Sequence, residues 1–70
     1  MWYVTYKNKP ATLEKICNVE GRSDITERME QSQRDKVPAY RTRSGAISLY
    51  LYYIGFTWKE RAKGIEVAKL

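Results

Sequence analysis

A chain of 70 residues with one cysteine and no histidine has to hold itself together with a single hydrophobic core. A chain this short buries only about 60 % of its unfolded surface, which leaves no apolar surface for a second core. Cys17 has no partner for a disulfide, and no cysteine-based zinc site can be assembled. We therefore expect one domain spanning residues 1–70, with no metal and no cofactor. Hydrophobic residues make up 43 % of the chain, which is typical of a protein that folds.

The composition also argues against an enzyme. Histidine, the commonest general base near neutral pH, is absent, and no paired carboxylates, phosphate loop or metal cluster is visible. Cys17 falls beside Leu13 and Ile16 on one helical face, which indicates a buried structural thiol. No apolar run reaches the roughly 18 residues of a membrane span, and the N-terminus lacks the apolar segment of a signal peptide. We expect a non-enzymatic protein of the cytoplasm.

The first third of the chain predicts a strand and a helix. WYVTYK, residues 2–7, is rich in β-branched and aromatic residues and predicts a strand. A polar turn follows, and Pro10 either ends the strand or belongs to a short return segment. Thr12 is in position to cap a helix that runs from Leu13 to about Val19, and Gly21 is in position to end it.

The middle of the chain carries weaker signals. Ser23 is predicted to cap a second helix, but only Ile25 and Met29 give that helix an apolar edge, so it should pack lightly or fray. Pro38 interrupts the pattern. The connector KVPAYR, residues 36–41, is expected to be extended, because the residue before a proline is pushed out of the helical region.

The segment SGAISLYLYYIG predicts the strongest helix. It begins near Ser44 and ends at Gly55, and its apolar residues Ile47, Leu51 and Ile54 recur at helical spacing. We expect these three side chains to form its core face. The alternative is a strand, because SLYLYYI is also rich in β-forming residues.

The last segments complete an α+β fold that we expect to be mostly helical. Thr57 and Glu60 have the spacing of a capping box, which predicts a short helix from Trp58 to about Lys63. The tail IEVAKL is either a last strand returning to residues 2–7 or a loose end.

Two segments share a pattern with a known family. In VTYKNKPATLEKICNVEG, a Tyr-Lys-x-Lys turn and a Thr-Leu pair lead into a helix; in ISLYLYYIGFTWKERAKG, a helix runs into a Gly-aromatic-Thr segment followed by Glu and Ala. Together they resemble a small helix-turn-helix module of phage proteins and homing endonucleases, over about half of the chain. The chain departs from the family in two respects: Asn8 replaces the usual turn glycine, and residues 22–41 replace a tight turn. The matching residues are Tyr6, Lys7, Lys9, Thr12, Leu13, Gly55, Phe56, Thr57, Trp58, Glu60 and Ala62.

The resemblance implies a short N-terminal strand or hairpin followed by a helix-turn-helix-like helical core, with the recognition helix beginning near Ser44. Such helices read base edges with their N-terminal residues, and Arg is suited to guanine. The residues at that end or on the exposed face are Arg41, Thr42, Arg43, Ser44 and Ser48. Phosphate contacts that fix the register without reading sequence would come from Lys7, Lys9 and Arg22.

A second mapping uses the first helix, Gly21 and the helix from Asp24 as the helix-turn-helix pair. Thr26 and Arg28 would then face the DNA groove. The acidic side chains Asp24, Glu27 and Glu30 would oppose phosphates, which counts against this mapping.

The net charge of +5 favours a polyanionic partner, and we expect DNA, bound by a regulatory or accessory protein of a phage or mobile element. A domain this small often needs a second copy for specificity, which leaves a homodimer open. The alternative is a small phage-type protein that binds and inhibits a host enzyme, with WYVTYK, KVPAYR and IEVAKL paired as a sheet behind the tyrosine-rich helix. The tyrosines at 50, 52 and 53 cannot all be buried on one helix, and exposed aromatics are typical interface anchors.

Overall fold

A three-stranded antiparallel sheet forms one layer of the protein in the computed structural model, which describes residues 1–70. The central strand β1 (Trp2–Tyr6) lies between the short β2 (Lys9–Pro10) and β3 (Ile65–Lys69). β1 pairs with β3 along its whole length. The predicted N-terminal strand is therefore confirmed, and the tail forms the returning strand rather than a loose end. Pro10 lies on an edge strand, where its missing N–H breaks no ladder.

The polar turn between β1 and β2 is a two-residue hairpin loop. Lys7 and Asn8 both have positive φ, 51° and 68°, which is the geometry of a type I′ turn. Asn tolerates the left-handed region because its short side chain can hydrogen-bond locally, so this turn forms without the usual glycine. The Lys7 N–H donates to Gly64 O at 2.9 Å, which ties the hairpin to the start of β3.

Four α-helices and one 3₁₀ turn make up the rest of the regular structure. They are α1 (Leu13–Val19), α2 (Ser23–Thr26), α3 (Gln31–Arg34), α4 (Arg43–Ile54) and the 3₁₀ turn Trp58–Glu60. The α+β class is confirmed, although "mostly helical" overstates the helical share, since only α4 is longer than two turns. No helix has the length and apolar character needed to cross a membrane.

The bounds predicted for α1 are confirmed because its caps are local. The Thr12 hydroxyl accepts the Lys15 N–H at 3.1 Å. At the other end Gly21 has φ 73°, and the Arg22 N–H donates to Cys17 O at 2.7 Å, which is a Schellman cap. The apolar face is buried as expected, through Leu13, Ile16 and Cys17.

The middle of the chain folds into two single turns of helix instead of one helix. The prediction that Ser23 caps α2 is wrong: Arg22 holds the N-cap position, and Ser23 is the first helical residue, whose carbonyl accepts the Thr26 hydroxyl at 3.0 Å. Thr26 is only 4 % exposed, so the second mapping, which placed it in the DNA groove, is also wrong there. α3 buries no residue, in line with the light packing expected for this region.

The connector before α4 is not helical, and at Tyr40 it forms an isolated β-bridge with Trp2. Tyr40 exchanges two backbone hydrogen bonds with Trp2, at 2.6 Å and 2.8 Å. Of the three segments WYVTYK, KVPAYR and IEVAKL, the first and the last therefore pair as strands, whereas KVPAYR joins them only through the bridge at Tyr40. This pairing fixes the point at which the chain turns into α4.

α4 lies across β1 and β3 and is helical rather than extended. Its buried residues are Ala46, Tyr50 and Ile54, so the predicted core stripe is correct for Ile54 and wrong for Ile47 and Leu51. The helix is apolar nearly all round, so its pattern does not select a buried face. The position of α4 on the sheet makes that choice.

The capping box predicted at Thr57 and the helix to Lys63 are wrong. The Thr57 hydroxyl makes no cap hydrogen bond, and only one 3₁₀ turn forms, because Arg61 returns to an extended conformation that leads into β3. The Trp58 ring packs edge-on against Tyr50 at 5.2 Å, and the Arg61 guanidinium lies over Trp58 at 4.6 Å. The packing of Trp58 between Tyr50 and Arg61 therefore takes the place of the longer helix that the sequence predicted.

Candidate nucleic-acid interface

One continuous stretch of the chain carries basic side chains without any acidic ones. Residues 36–59, which span the connector, α4 and most of the 3₁₀ turn, contain no acidic side chain. The preceding residues 14–35 contain six of the eight acids. The surface around α4 is therefore the region where a polyanion meets least repulsion. The basic residues of the acid-free stretch are Lys36, Arg41, Arg43 and Lys59.

The residues predicted to read DNA all lie at the surface, either just before α4 or in its first half. Arg41 and Arg43 are exposed and form neither of the two ion pairs in the protein, Arg22–Asp24 and Arg61–Glu66. The Thr42 hydroxyl caps α4 by accepting the Gly45 N–H at 3.1 Å, so Thr42 rather than Ser44 is the cap. The group, all exposed, is Arg41, Thr42, Arg43, Ser44 and Ser48.

A groove with tyrosine walls, here called the tyrosine groove, runs between α4 and the segment from α3 to the connector. Its volume is about 500 Å³. Lys36 is the only charged side chain along it, and no acid contributes to its lining. The groove is therefore largely aromatic with a positive edge. The lining residues are Leu13, Gln33, Lys36, Pro38, Tyr40, Gly45, Ser48, Leu49, Tyr52 and Tyr53.

The tyrosine walls are held in different ways. Tyr52 is 81 % exposed, and its ring stands edge-on against Tyr53, with centroids 4.9 Å apart. The Tyr53 hydroxyl accepts a long hydrogen bond of 3.5 Å from Gln33 Nε2. Tyr40 lies against Gly45, where a Cβ would come within 3.1 Å of the Tyr40 ring. A glycine at position 45 therefore lets Tyr40 approach the helix and shape the groove.

A second basic group, here called the hairpin lysine cluster, consists of Lys7, Lys9 and Lys15. The Nζ atoms of Lys7 and Lys15 lie 5.3 Å and 5.0 Å from the centroid of the Tyr6 ring, at cation–π distance. Lys9 and Lys15 also line a shallow pocket of about 340 Å³ beside that ring. The structure thus joins Lys7 and Lys9, predicted as phosphate contacts, to Lys15, which sequence reasoning missed.

The lysine cluster and the tyrosine groove meet at the start of α1. Thr12 lines the lysine pocket and its neighbour Leu13 lines the tyrosine groove. The Leu13 N–H donates to Lys36 O at 2.9 Å, which holds the connector against this point. The start of α1 therefore contributes one residue to the lining of each site.

Arg22, the remaining predicted phosphate contact, lies elsewhere and has another role. Its guanidinium donates to Ile54 O at 3.0 Å, at the C-terminal end of α4, and to both carboxylate oxygens of Asp24. A cation is favoured there because the helix dipole ends on unpaired carbonyls. The hydrogen bond from Arg22 holds the pKa of Asp24 below its usual range, and Asp24 raises the pKa of Arg22. Arg22 therefore does not join the other basic residues.

Cys17 is fully buried, as predicted for a structural thiol, and burial raises its pKa. No group of three histidine, cysteine or acidic side chains is placed to hold a metal ion.

The groove residues Gln33, Lys36 and Tyr40 were also missed, because they come from segments with no functional pattern in the sequence. The expected exposure of a tyrosine on α4 was the one available signal, and the exposed Tyr52 confirms it.

No protein-family model, no curated protein and no solved structure matches the chain.

Proposed function

We propose that the protein binds DNA through the first half of α4 and the adjoining tyrosine groove, as a regulatory or accessory protein of a phage or mobile element. The observation that carries the proposal is the pair Arg41 and Arg43, exposed and unpaired at the start of α4 in a stretch without acids. The resemblance to a helix-turn-helix module of phage proteins supports the genetic context.

The chemistry of this surface suits a phosphate backbone. Exposed Arg side chains make charge-assisted, often bidentate hydrogen bonds to phosphate, and neutralising several phosphates supplies most of the affinity of a typical DNA-binding protein. Ser44 and Ser48 lie one turn apart on the same helix and can bond to a phosphate or a base edge. The hairpin lysine cluster adds further phosphate contacts beside the groove. The lysines would position the protein on the phosphate backbone, while the candidates for reading bases are Arg41, Thr42, Arg43, Ser44 and Ser48.

The test is binding of the purified protein to a random-sequence duplex at low and at physiological salt. A fall in affinity on the order of 100-fold between the two is expected if several phosphates are contacted. Replacing Arg41 and Arg43 together by Ala should weaken binding on the order of 10-fold or more. The logarithm of the association constant should also fall less steeply with the logarithm of the salt concentration, by an amount that corresponds to about two lost phosphate contacts. Failure to bind DNA even at low salt, both as the duplex and as a single strand of the same length, would refute the proposal.

A matched control separates this surface from general charge. Arg28 and Lys63 are both exposed and lie outside the acid-free stretch, in the α2–α3 loop and in the turn before β3. Their double replacement by Ala removes the same charge. It should change the affinity by no more than about 3-fold, since distant exposed charges are largely screened.

A second candidate function is binding to a host enzyme, favoured by exposed apolar side chains around α4. Leu51, Tyr52 and Phe56 are exposed on or just after α4, and Val37 is exposed in the connector. Aromatic side chains of this kind often anchor protein interfaces. Capture of one host enzyme that Leu51→Glu abolishes, together with no affinity for DNA, would favour this function.

A further inference from the structure

We propose that the tyrosine groove takes an unpaired base of DNA, so that single-stranded or locally unpaired DNA is the preferred ligand. This inference rests on the proposed function and names its ligand class. It follows from the shape, the aromatic lining and the charge of the groove.

The groove has the size and lining of a site for one flat aromatic group. Its volume of about 500 Å³ falls within the range of about 300–1,000 Å³ typical of small-molecule sites. Pro38, Leu49 and the tyrosines give it apolar walls, and Leu13 contributes to its lining from the fully packed core. A nucleobase buries its faces against such walls and keeps its polar edge free.

Tyr52 provides the stacking surface. It is 81 % exposed, so the ring presents an open face, and the edge-on contact with Tyr53 holds its orientation. Stacking on such a ring tolerates any base, because every base has a π-face. In a closed duplex both faces of each base are covered by neighbouring base pairs, so the ring can be used only by a base that has left the stack.

The polar groups of the groove match the edge and the phosphate of a nucleotide. Gln33 makes only a long hydrogen bond of 3.5 Å to Tyr53, which leaves donors and the amide oxygen of Gln33 for a base edge. The exposed Ser48 hydroxyl lies on the opposite wall. Lys36 lines the groove and Arg41 follows the lining residue Tyr40 directly, so cations lie near the flanking phosphates, while the exposed Asp35 lies outside the lining.

The experiment compares three ligands of about 12 nucleotides, within the site size of small single-strand-binding folds. They are fluorescein-labelled oligothymidine, an abasic strand with the same number of phosphates, and a blunt duplex. Fluorescence anisotropy at constant salt gives the affinities. Oligothymidine should bind on the order of 10-fold more tightly than the abasic strand, because only it can stack.

Variants of Tyr52 assign that difference to the groove. Tyr52→Ala should lower the affinity for oligothymidine to that for the abasic strand and leave abasic binding unchanged, whereas Tyr52→Phe keeps the ring and the affinity. Phe56→Ala removes another exposed aromatic ring outside the groove and serves as the matched control. Because Tyr52 is exposed, these variants should fold, which circular dichroism checks.

The failure of this inference differs from the failure of the proposed function. Equal affinities for oligothymidine and the abasic strand, or no effect of Tyr52→Ala on oligothymidine binding, would overturn the base site even if duplex binding still required Arg41 and Arg43. Lack of binding to all three ligands would overturn the proposed function and the base site together.

Discussion

The two faces of α4 carry the same kinds of residues and have opposite roles. On the inner face Tyr50 and Ile54 are 0 % exposed, while on the outer face Leu51 is 37 % and Tyr52 81 % exposed. The inner face is fixed by the edge-on contact of Tyr50 with Trp58 and by the hydrogen bond from Arg22 to Ile54 O. The outer face continues into the groove and the exposed arginines.

This difference shows that the exposed aromatic and aliphatic side chains of α4 do not contribute to the packing of the helix on the sheet. The inner face already supplies the packing between the helix and the sheet. Leu51 and Tyr52 on the outer face are therefore not needed for that packing, which leaves them accessible to the proposed partner. Substitutions on the two faces should separate stability from binding.

The largest effect is expected from removing the inner tyrosine. Tyr50→Ala should lower the free energy of unfolding by about 3–5 kcal/mol, because it leaves a cavity beside Trp58. Tyr52→Ala should change it by less than about 0.5 kcal/mol. Urea unfolding followed by Trp fluorescence measures both values. Equal losses for the two variants would break the comparison.

A smaller difference of the same sign is expected for the aliphatic pair. Ile54→Ala should lower the free energy of unfolding by about 2–4 kcal/mol, because the side chain is fully buried in the core. Leu51 lies three residues before Ile54 and is exposed, so Leu51→Ala should lower the free energy of unfolding by less than about 1 kcal/mol. Thermal unfolding by circular dichroism gives the ranking, and a larger loss for Leu51→Ala would place the core on the other face.

The smallest effect concerns the Tyr50 hydroxyl and sharpens the definition of the inner face. This hydroxyl is buried beside the Glu20 carboxylate, which accepts the Ala62 N–H, and it makes no hydrogen bond of good geometry. Removing an unpaired buried hydroxyl is nearly neutral or stabilising, so Tyr50→Phe should change the free energy of unfolding at pH 7 by less than about 1 kcal/mol. A loss well above this would mean that the hydroxyl has a partner.

The same variant should flatten the dependence of stability on alkaline pH. Burial and the nearby Glu20 raise the pKa of Tyr50. A group whose pKa is raised by folding stabilises the protein fully below its unfolded pKa, about 10 for tyrosine, and this contribution is lost as the pH rises further. The wild type should therefore lose more stability than Tyr50→Phe between pH 9 and about 11. If the free energy of unfolding of the two proteins fell equally with pH, the raised pKa of Tyr50 would be contradicted. Cys17, whose pKa is also raised, contributes equally to both proteins.

The parts of the fold that follow from neighbouring residues were predictable. The bounds of α1 follow from Thr12 and Gly21, whose caps bond within a few residues. The strand at residues 2–7 follows from its β-branched and aromatic side chains. The cap predictions at Ser23 and Thr57 failed for the same reason. In both places contacts with distant residues, such as Arg22 with Ile54 and Trp58 with Tyr50, override the local capping pattern.

The candidate site was only partly predictable. The exposure of Arg41, Arg43 and Ser48 follows from their place at the start of a helix. The groove does not, because Gln33, Tyr40 and Tyr52 come from three separate segments that meet only in the folded chain. The role of Gly45 is also hidden in the sequence, since it depends on the approach of Tyr40.

The sequence by itself determined the single core, the class of fold, the ends of α1 and the charge around α4, because composition and local hydrogen bonds act over short stretches of chain. The tertiary structure decided which face of α4 is buried, where Arg22 binds and how the tyrosine groove forms. A helix that is apolar nearly all round gains similar free energy from burying either face. The docking of α4 on β1 and β3, set by the bridge between Trp2 and Tyr40, resolves that choice.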